Sequence, residues 1–262
     1  MRWPNPIELL APLIVAALFL AGWEFACWWN EVPVYILPRP SVVAATLVKD
    51  GASLLDSLLV TLQVTVGAFV LAAVGGGAMA ILFVRSRWIE LSLYPYAVIL
   101  QVTPIVAIAP LIILWVKDTY SALLICAWIV AFFPVLSNTT LGLASTDHGL
   151  LDLFQLYRAN RRQQLWLLRV PSALPYFLAG LRIAGGLALI GAVVAEFVAG
   201  VGGSNTGLAY RILEAGYRLQ IPRMFAALIL ISLTGVAIFL VLGLIQHLLL
   251  RRWHESARPR ER

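Results

Sequence analysis

Apolar residues in this chain come in long runs, without the strict alternation of a half-buried strand. Six runs, near 7–29, 59–84, 91–115, 119–141, 176–200 and 224–250, reach or exceed the roughly 20 helical residues that cross a bilayer. The pattern predicts an all-α integral membrane fold of about six transmembrane helices. The first run follows a single Arg2 and lacks a small-x-small cleavage site, so it reads as a retained span. One stretch breaks the pattern. Residues 152–169, "DLFQLYRANRRQQLWLLR", alternate Leu153, Phe154, Leu156, Tyr157, Leu165, Trp166 and Leu168 with Arg158, Arg161, Arg162 and Arg169. That pattern predicts an amphipathic segment between the fourth and fifth spans, able to lie on lipid or to enter a groove on a partner protein.

The spans are not plain anchors. Pro95, Pro104 and Pro110 interrupt the third and Pro134 the fourth, and Gly75, Gly76 and Gly77 sit within the second. Such residues are tolerated in lipid where neighbouring helices satisfy the backbone, so they predict a packed bundle. The triple glycine has apolar flanks and no following Lys, which favours close helix contact over a phosphate cradle. Gly180, Ala184, Ala188 and Ala192 recur every fourth residue, the small-xxx-small pattern of helices in close contact. Glu196 extends that row. A carboxylate at membrane depth faces protein or water, so Glu196 reads either as a pathway or gate residue or as a carboxylate held by an Arg or by backbone amides near Gly200, Gly202 and Gly203. Gln63, Gln101, Thr103 and Asn138 also lie in or near spans. Each reads either as a pathway lining or as an interhelical hydrogen bond.

Composition agrees with a lipid-embedded chain. Of 262 residues, 61% are hydrophobic and 12% charged, about half the charge of an ordinary soluble domain. The formal charge of +6 is scattered among loops, which argues against nucleic acid as a partner. Twelve Lys and Arg fall on the side of the two termini and six on the other. Positive loops stay inside, so both termini are expected in the cytoplasm, and the basic segment with them. Cys27 and Cys126 sit in apolar runs with no Cys/His cluster, which reads as small core residues and no metal site.

Several activities are excluded by what the motifs lack. Lys49 and Lys117 each follow Val, so there is no P-loop, and an ATP-driven mechanism would place ATP on another chain. There is no Gly-x-Ser-x-Gly or His-Glu-x-x-His, and Ser232 and His247 lie too far apart on one helix to form a dyad. A proton-coupled carrier is the alternative, with Glu196 its main titratable candidate and Glu24 and His247 toward span ends.

Three stretches carry a family resemblance. "VPSALPYFLAGLRIAGGLALIGAVVAEFVAG", "ILPRPSVVAATL" and "YPYAVILQVTPIVAIAPLIILW" together resemble the permease subunits of ATP-binding-cassette importers, in the nitrate/sulfonate/taurine/bicarbonate branch. The resemblance implies a single permease domain over 1–262 with a type I importer fold. It has a first span at 7–29, a five-span core over 59–250 and a cytoplasmic coupling loop at 142–175. It also implies a second permease subunit, identical or not, two cytoplasmic ATPase subunits that bind ATP and Mg, and an extracytoplasmic solute-binding protein. No cofactor on this chain is implied. The expected location is a bacterial inner membrane, and the solute a small anion or a pyrimidine-like compound.

The family's E-A-A-x-x-x-G coupling motif falls on Asp152, Leu153 and Phe154, with its glycine on Arg158. Ala159 and Asn160 follow where the family often has Ala-Ser. The resemblance thus makes Asp152, Leu153, Phe154, Leu156, Tyr157, Arg158, Ala159 and Asn160 the ATPase-coupling residues. The acid is kept, but both alanines and the glycine are replaced, and the glycine normally permits a sharp turn between two short helices. "GLAYRILEAGYRLQIPRMF" resembles the family's outer re-entrant stretch; the plainer reading is a connecting hairpin.

Overall fold

The computed structural model describes residues 6–200 and 206–251, so Gly202, Gly203 and most of the basic C-terminal tail lie outside the described residues. The described residues form helices and no strand: α1 Pro6–Trp29, α2 Pro40–Lys49, α3 Gly51–Arg85, α4 Arg87–Val102, α5 Ile105–Trp115 and α6 Thr119–Ala144. They continue as α7 His148–Leu156, α8 Arg161–Gln163, a π-helical segment Gln164–Arg169, α9 Val170–Ala199, α10 Leu208–Tyr217 and α11 Ile221–Leu250. Five helices are long and apolar enough to cross a membrane, and six segments if the bent pair α4 and α5 counts as one.

The core is α6 packed between α3 and α9. Lipid is as apolar as leucine, so burial of apolar area does not drive these helices together; close van der Waals contact does. Ala184, Ala188 and Ala192 on α9 are fully buried, as are Ala127, Ala131 and Val135 on α6. A Cβ added at Gly191 would lie 2.8 Å from Ala127 Cα, and one at Gly180 would lie 2.9 Å from the Pro134 carbonyl oxygen. Near the other end of the seam, a Cβ on Gly142 would lie 3.1 Å from Ala173 Cα. These pairings make α6 and α9 antiparallel. The triple glycine serves the α3–α6 contact, where a Cβ on Gly76 would meet the Val135 Cβ at 2.9 Å.

Helix ends depart from the apolar runs for identifiable reasons. α3 begins at Gly51, ahead of the run at 59, and its 35 residues exceed the roughly 20 a bilayer needs. The fifth span begins well before 176: Arg161–Ala199 is one continuous helical stretch, which narrows the loop expected at 142–175 to the residues between α6 and α8. Pro171 and Pro175 cannot donate to the carbonyls four residues earlier, and the wider π segment lies directly ahead of them.

The third run is not a straight span. α4 and α5 meet at 103° across Thr103 and Pro104. Pro104 has no N–H for the helix ladder and holds Thr103 extended, at ψ 122°. The Thr103 amide and hydroxyl both donate to the Ile99 carbonyl, at 3.0 and 2.7 Å, closing the end of α4. Pro95 and Pro110 sit inside their helices.

The α6–α9 seam has a direct test. Gly191→Ala should cost about 1–3 kcal/mol, because the added methyl meets backbone that has no room to move. Gly186→Ala, on the same helix with nothing within 4 Å, should be neutral. Thermal unfolding of the two variants in one detergent checks the contrast.

Candidate functional site

The segment that broke the apolar pattern folds as two pieces around a turn. α7 starts where Asp147 Oδ1 accepts from the Leu150 amide at 3.1 Å. It stops in a paired cap: the Arg158 amide donates to the Gln155 carbonyl at 2.8 Å and the Ala159 amide to the Phe154 carbonyl at 2.9 Å. This cap requires a left-handed residue, and Arg158 takes that conformation with φ 54°. The sharp turn that a glycine would permit is therefore kept by an arginine, against a steric penalty of about 1–2 kcal/mol.

Asn160 opens the next helix. Its side chain accepts from the Gln163 amide at 2.9 Å while the Gln163 side chain accepts from the Asn160 amide at 2.8 Å, a reciprocal capping box. Asn and Ser both cap helix N-termini, which explains in physical terms why Asn160 fits a position where serine is common. Around this turn Leu156 and Tyr157 are each 80% exposed and Leu153 45% exposed, Phe154 is half-buried, and Asp152 is exposed. No residue of α7 is buried. The predicted single amphipathic stretch is thus a surface helix, a turn and the start of a membrane helix.

Glu196 lies at the far end of α9, buried. Its Oε2 accepts from the Ala209 amide at 3.0 Å, and the carboxylate packs against Gly207, where it leaves no room for a Cβ. Beside it, the Leu208 amide donates to Thr61 Oγ1 at 2.9 Å. Both donors belong to the first turn of α10, whose amides have no partner within the helix. Glu196 and Thr61 supply those partners, and a carboxylate at a helix N-terminus also complements the helix dipole. Glu196 is held by a backbone amide, with no arginine in its hydrogen bonds among the described residues.

The rest of α10 is tied down by ions. Arg211 donates to Ser57 Oγ at 3.0 Å and pairs with Glu214 at 2.9 Å, and Arg218 reaches Glu214 at 3.1 Å. The Arg211 hydrogen bond holds the Glu214 carboxyl below the usual carboxylate range. Arg223 spans Ser53 Oγ at 3.1 Å and Asp50 at 3.7 Å. These partners come from the start of α3, too distant in the chain for sequence spacing to pair them.

The polar residues expected along a pathway do not gather. Gln63 is exposed on α3, and its carbonyl accepts from the Tyr120 hydroxyl at 3.5 Å, at the start of α6. Asn138 lies 18 residues further along α6, about 27 Å away by helical rise. Its Nδ2 donates to the Pro134 carbonyl at 2.8 Å within its own helix, so it makes no interhelical bond there. Gln101 lies exposed in the last turn of α4, and Thr103 is part of the break between α4 and α5. Arg182 is not among the candidates that the sequence motifs offer, although an ionisable residue inside a span is itself a signal. Its guanidinium stacks 3.9 Å from the Phe239 ring centre, and its buried Nε finds no acceptor among the described residues.

With this geometry in place, comparisons with known proteins converge. A family profile described as binding-protein-dependent transport system inner membrane component matches residues 72–255. The chain belongs to this family. A probable ABC transporter permease protein of Haemophilus influenzae is 34% identical, covering 92% of this chain and 97% of that one. A riboflavin transport system permease protein of Chloroflexus aurantiacus is 33% identical over 97% of this chain and 92% of its own. Further relatives carry the names of aliphatic sulfonate, nitrate and taurine permeases, the branch that the sequence resembles. The crystal structure of an amino acid ABC transporter with histidines superposes at a TM-score of 0.63 over 79% of this chain and 97% of that chain. At 18% identity that match shows the fold alone, a type I permease fold.

For this permease the Arg158 turn yields a measurable expectation. Arg158→Gly should slow hydrogen exchange at the Ala159 amide by about fivefold, since removing the left-handed penalty is worth about 1 kcal/mol. Arg158→Val, with a β-branched side chain in the same conformation, should speed it.

Proposed function

We propose that this chain is one of two membrane-spanning subunits of an ATP-driven importer, and that α7 with its turn docks on a separate ATPase subunit. The observation that carries the coupling role is the exposure of Leu153, Leu156 and Tyr157 on a short helix that buries nothing of its own. An isolated apolar surface of this kind gains from a partner's groove. The turn also leads through α8 and the π segment directly into α9, one of the two helices that pack against the central α6.

The orientation follows from charge. α7 and the ends of α3 and α11 share one end, and the positive-inside rule makes that end cytoplasmic, with both termini there. The opposite end carries α10 and receives solute from an extracytoplasmic binding protein. ATP and Mg are held by the ATPase, and the membrane is the bacterial inner membrane. The names of the relatives include formylaminopyrimidine, sulfonates and nitrate, which supports a small anion or a pyrimidine-like compound as the solute. In this reading the break at Thr103 and Pro104, with Gln101 beside it, faces the pathway formed by the two subunits, because irregular backbone at membrane depth belongs where it lines a cavity. In the same reading Glu196 acts as the clamp that seats α10, and its bond to the Ala209 amide supports that role over proton coupling.

Large anchors dominate protein interfaces, and truncating one costs about 2 kcal/mol, or roughly thirtyfold in affinity. Phe154→Ala with Tyr157→Ala should release the ATPase and abolish solute-stimulated ATP hydrolysis, while binding-protein docking on the opposite face persists. ATPase co-purification and uptake measured in the same membranes check this. Uptake that continues without any ATPase and collapses with a protonophore would establish the carrier instead.

A further inference from the structure

Four arginines line one cavity at the α7 end of the bundle. It has a volume of about 470 Å³ and is walled by Arg85, Arg161, Arg162 and Arg169, with Gln164 and Leu165 beside them. Arg85 closes α3, and the other three come from α8 and the π segment. None of the four makes an ion pair among the described residues. The contrast with the opposite end is informative. There Arg211, Arg218 and Arg223 each meet a carboxylate of this chain. Arg85, Arg161 and Arg162 are exposed and Arg169 is half-buried, so four like charges crowd the mouth of one space with no carboxylate among its lining residues.

The surroundings indicate which kind of anion suits this cavity. In the same π segment as Leu165 and Arg169, Trp166 is 54% exposed and Leu167 67%. Exposed tryptophans at the ends of membrane helices sit at headgroup depth. An anion here has a charged cavity above and an apolar surface alongside. Arginine matches phosphate oxygens in a planar fork, and basic pockets between membrane helices suit anionic headgroups. We propose that this cavity holds the phosphate of an anionic phospholipid, with its acyl chains along Trp166 and Leu167. The site is separate from the α7 surface proposed to meet the ATPase. It joins the end of α3 to α8 and the π segment ahead of α9, so an occupied cavity ties those elements together.

The test uses the assembled transporter in nanodiscs of phosphatidylcholine with and without phosphatidylglycerol, followed by detergent extraction and native mass spectrometry of bound lipid. The wild-type complex should retain phosphatidylglycerol, and excess inorganic phosphate should not displace it. Each arginine near a charged lipid surface is worth about fivefold in affinity, so Arg162→Gln with Arg169→Gln should weaken retention about thirtyfold. Arg162→Lys with Arg169→Lys should keep a larger share of it, and Arg251→Gln, at the same end but outside the cavity, should match wild type. Size-exclusion elution of the intact complex controls for folding. Equal retention in the glutamine variant would overturn the proposal. Displacement by inorganic phosphate would also overturn it, assigning the cavity to a free anion. Loss of the ATPase with lipid retention unchanged would make the arginines a protein-docking surface and likewise sink it.

Discussion

Everything in this bundle depends on how closely α6 and α9 approach. In water, leucine and phenylalanine would draw helices together by leaving solvent. In lipid that drive vanishes, and association rests on van der Waals contact and a few polar bonds. The chain answers with Gly180, Ala184, Ala188, Gly191 and Ala192 on α9, whose backbone runs nearly against Ala127 and Val135 of α6. Large residues are correspondingly placed outward: Ile183 and Ile190 on α9 are about half exposed, as are Leu233, Phe239 and Leu240 on α11. The tight seam makes α9 a fixed reference on which the more loosely packed elements hang.

That seam gives the two ends of the molecule a physical link. The helical stretch Arg161–Ala199 begins at the capped turn after α7 and ends beside Glu196, whose carboxylate holds the first turn of α10. Its 39 residues span about 58 Å by helical rise, longer than the bilayer's apolar core. A displacement of α7 therefore has a continuous helical path to α10. The π segment and Pro175 mark where that path can bend rather than slide. Both ends combine caps with local apolar burial, Leu165 and Leu168 at one end and Leu208 and Ala215 at the other.

Much of this was legible in the sequence because lipid imposes a simple rule: an apolar run of sufficient length is a helix. The small-residue row on α9 announced its own packing face. The break in the third run was legible as prolines, but three prolines looked alike, and only Pro104 parts the helix. The turn at Arg158 was the reverse case. Residue type argued against a left-handed position, and the paired cap from Gln155 and Phe154 imposed it anyway. The setting of Glu196 was half visible. Its depth signalled a partner, but the partner is the amide of Ala209, and the neighbouring bond from Leu208 to Thr61 spans 147 positions. Contacts of that range leave no trace in local spacing.

We propose that a separate ATPase acts on the bundle through the α7 turn. A single cysteine at Tyr157, tested for cross-linking in the fully assembled transporter, addresses it directly. Tyr157 is exposed, so the substitution leaves the bundle intact. A cross-link to the ATPase subunit that strengthens or weakens as nucleotide is added is expected, and none to the solute-binding protein. A cross-link to the solute-binding protein, or none to any subunit of an active complex, would contradict it.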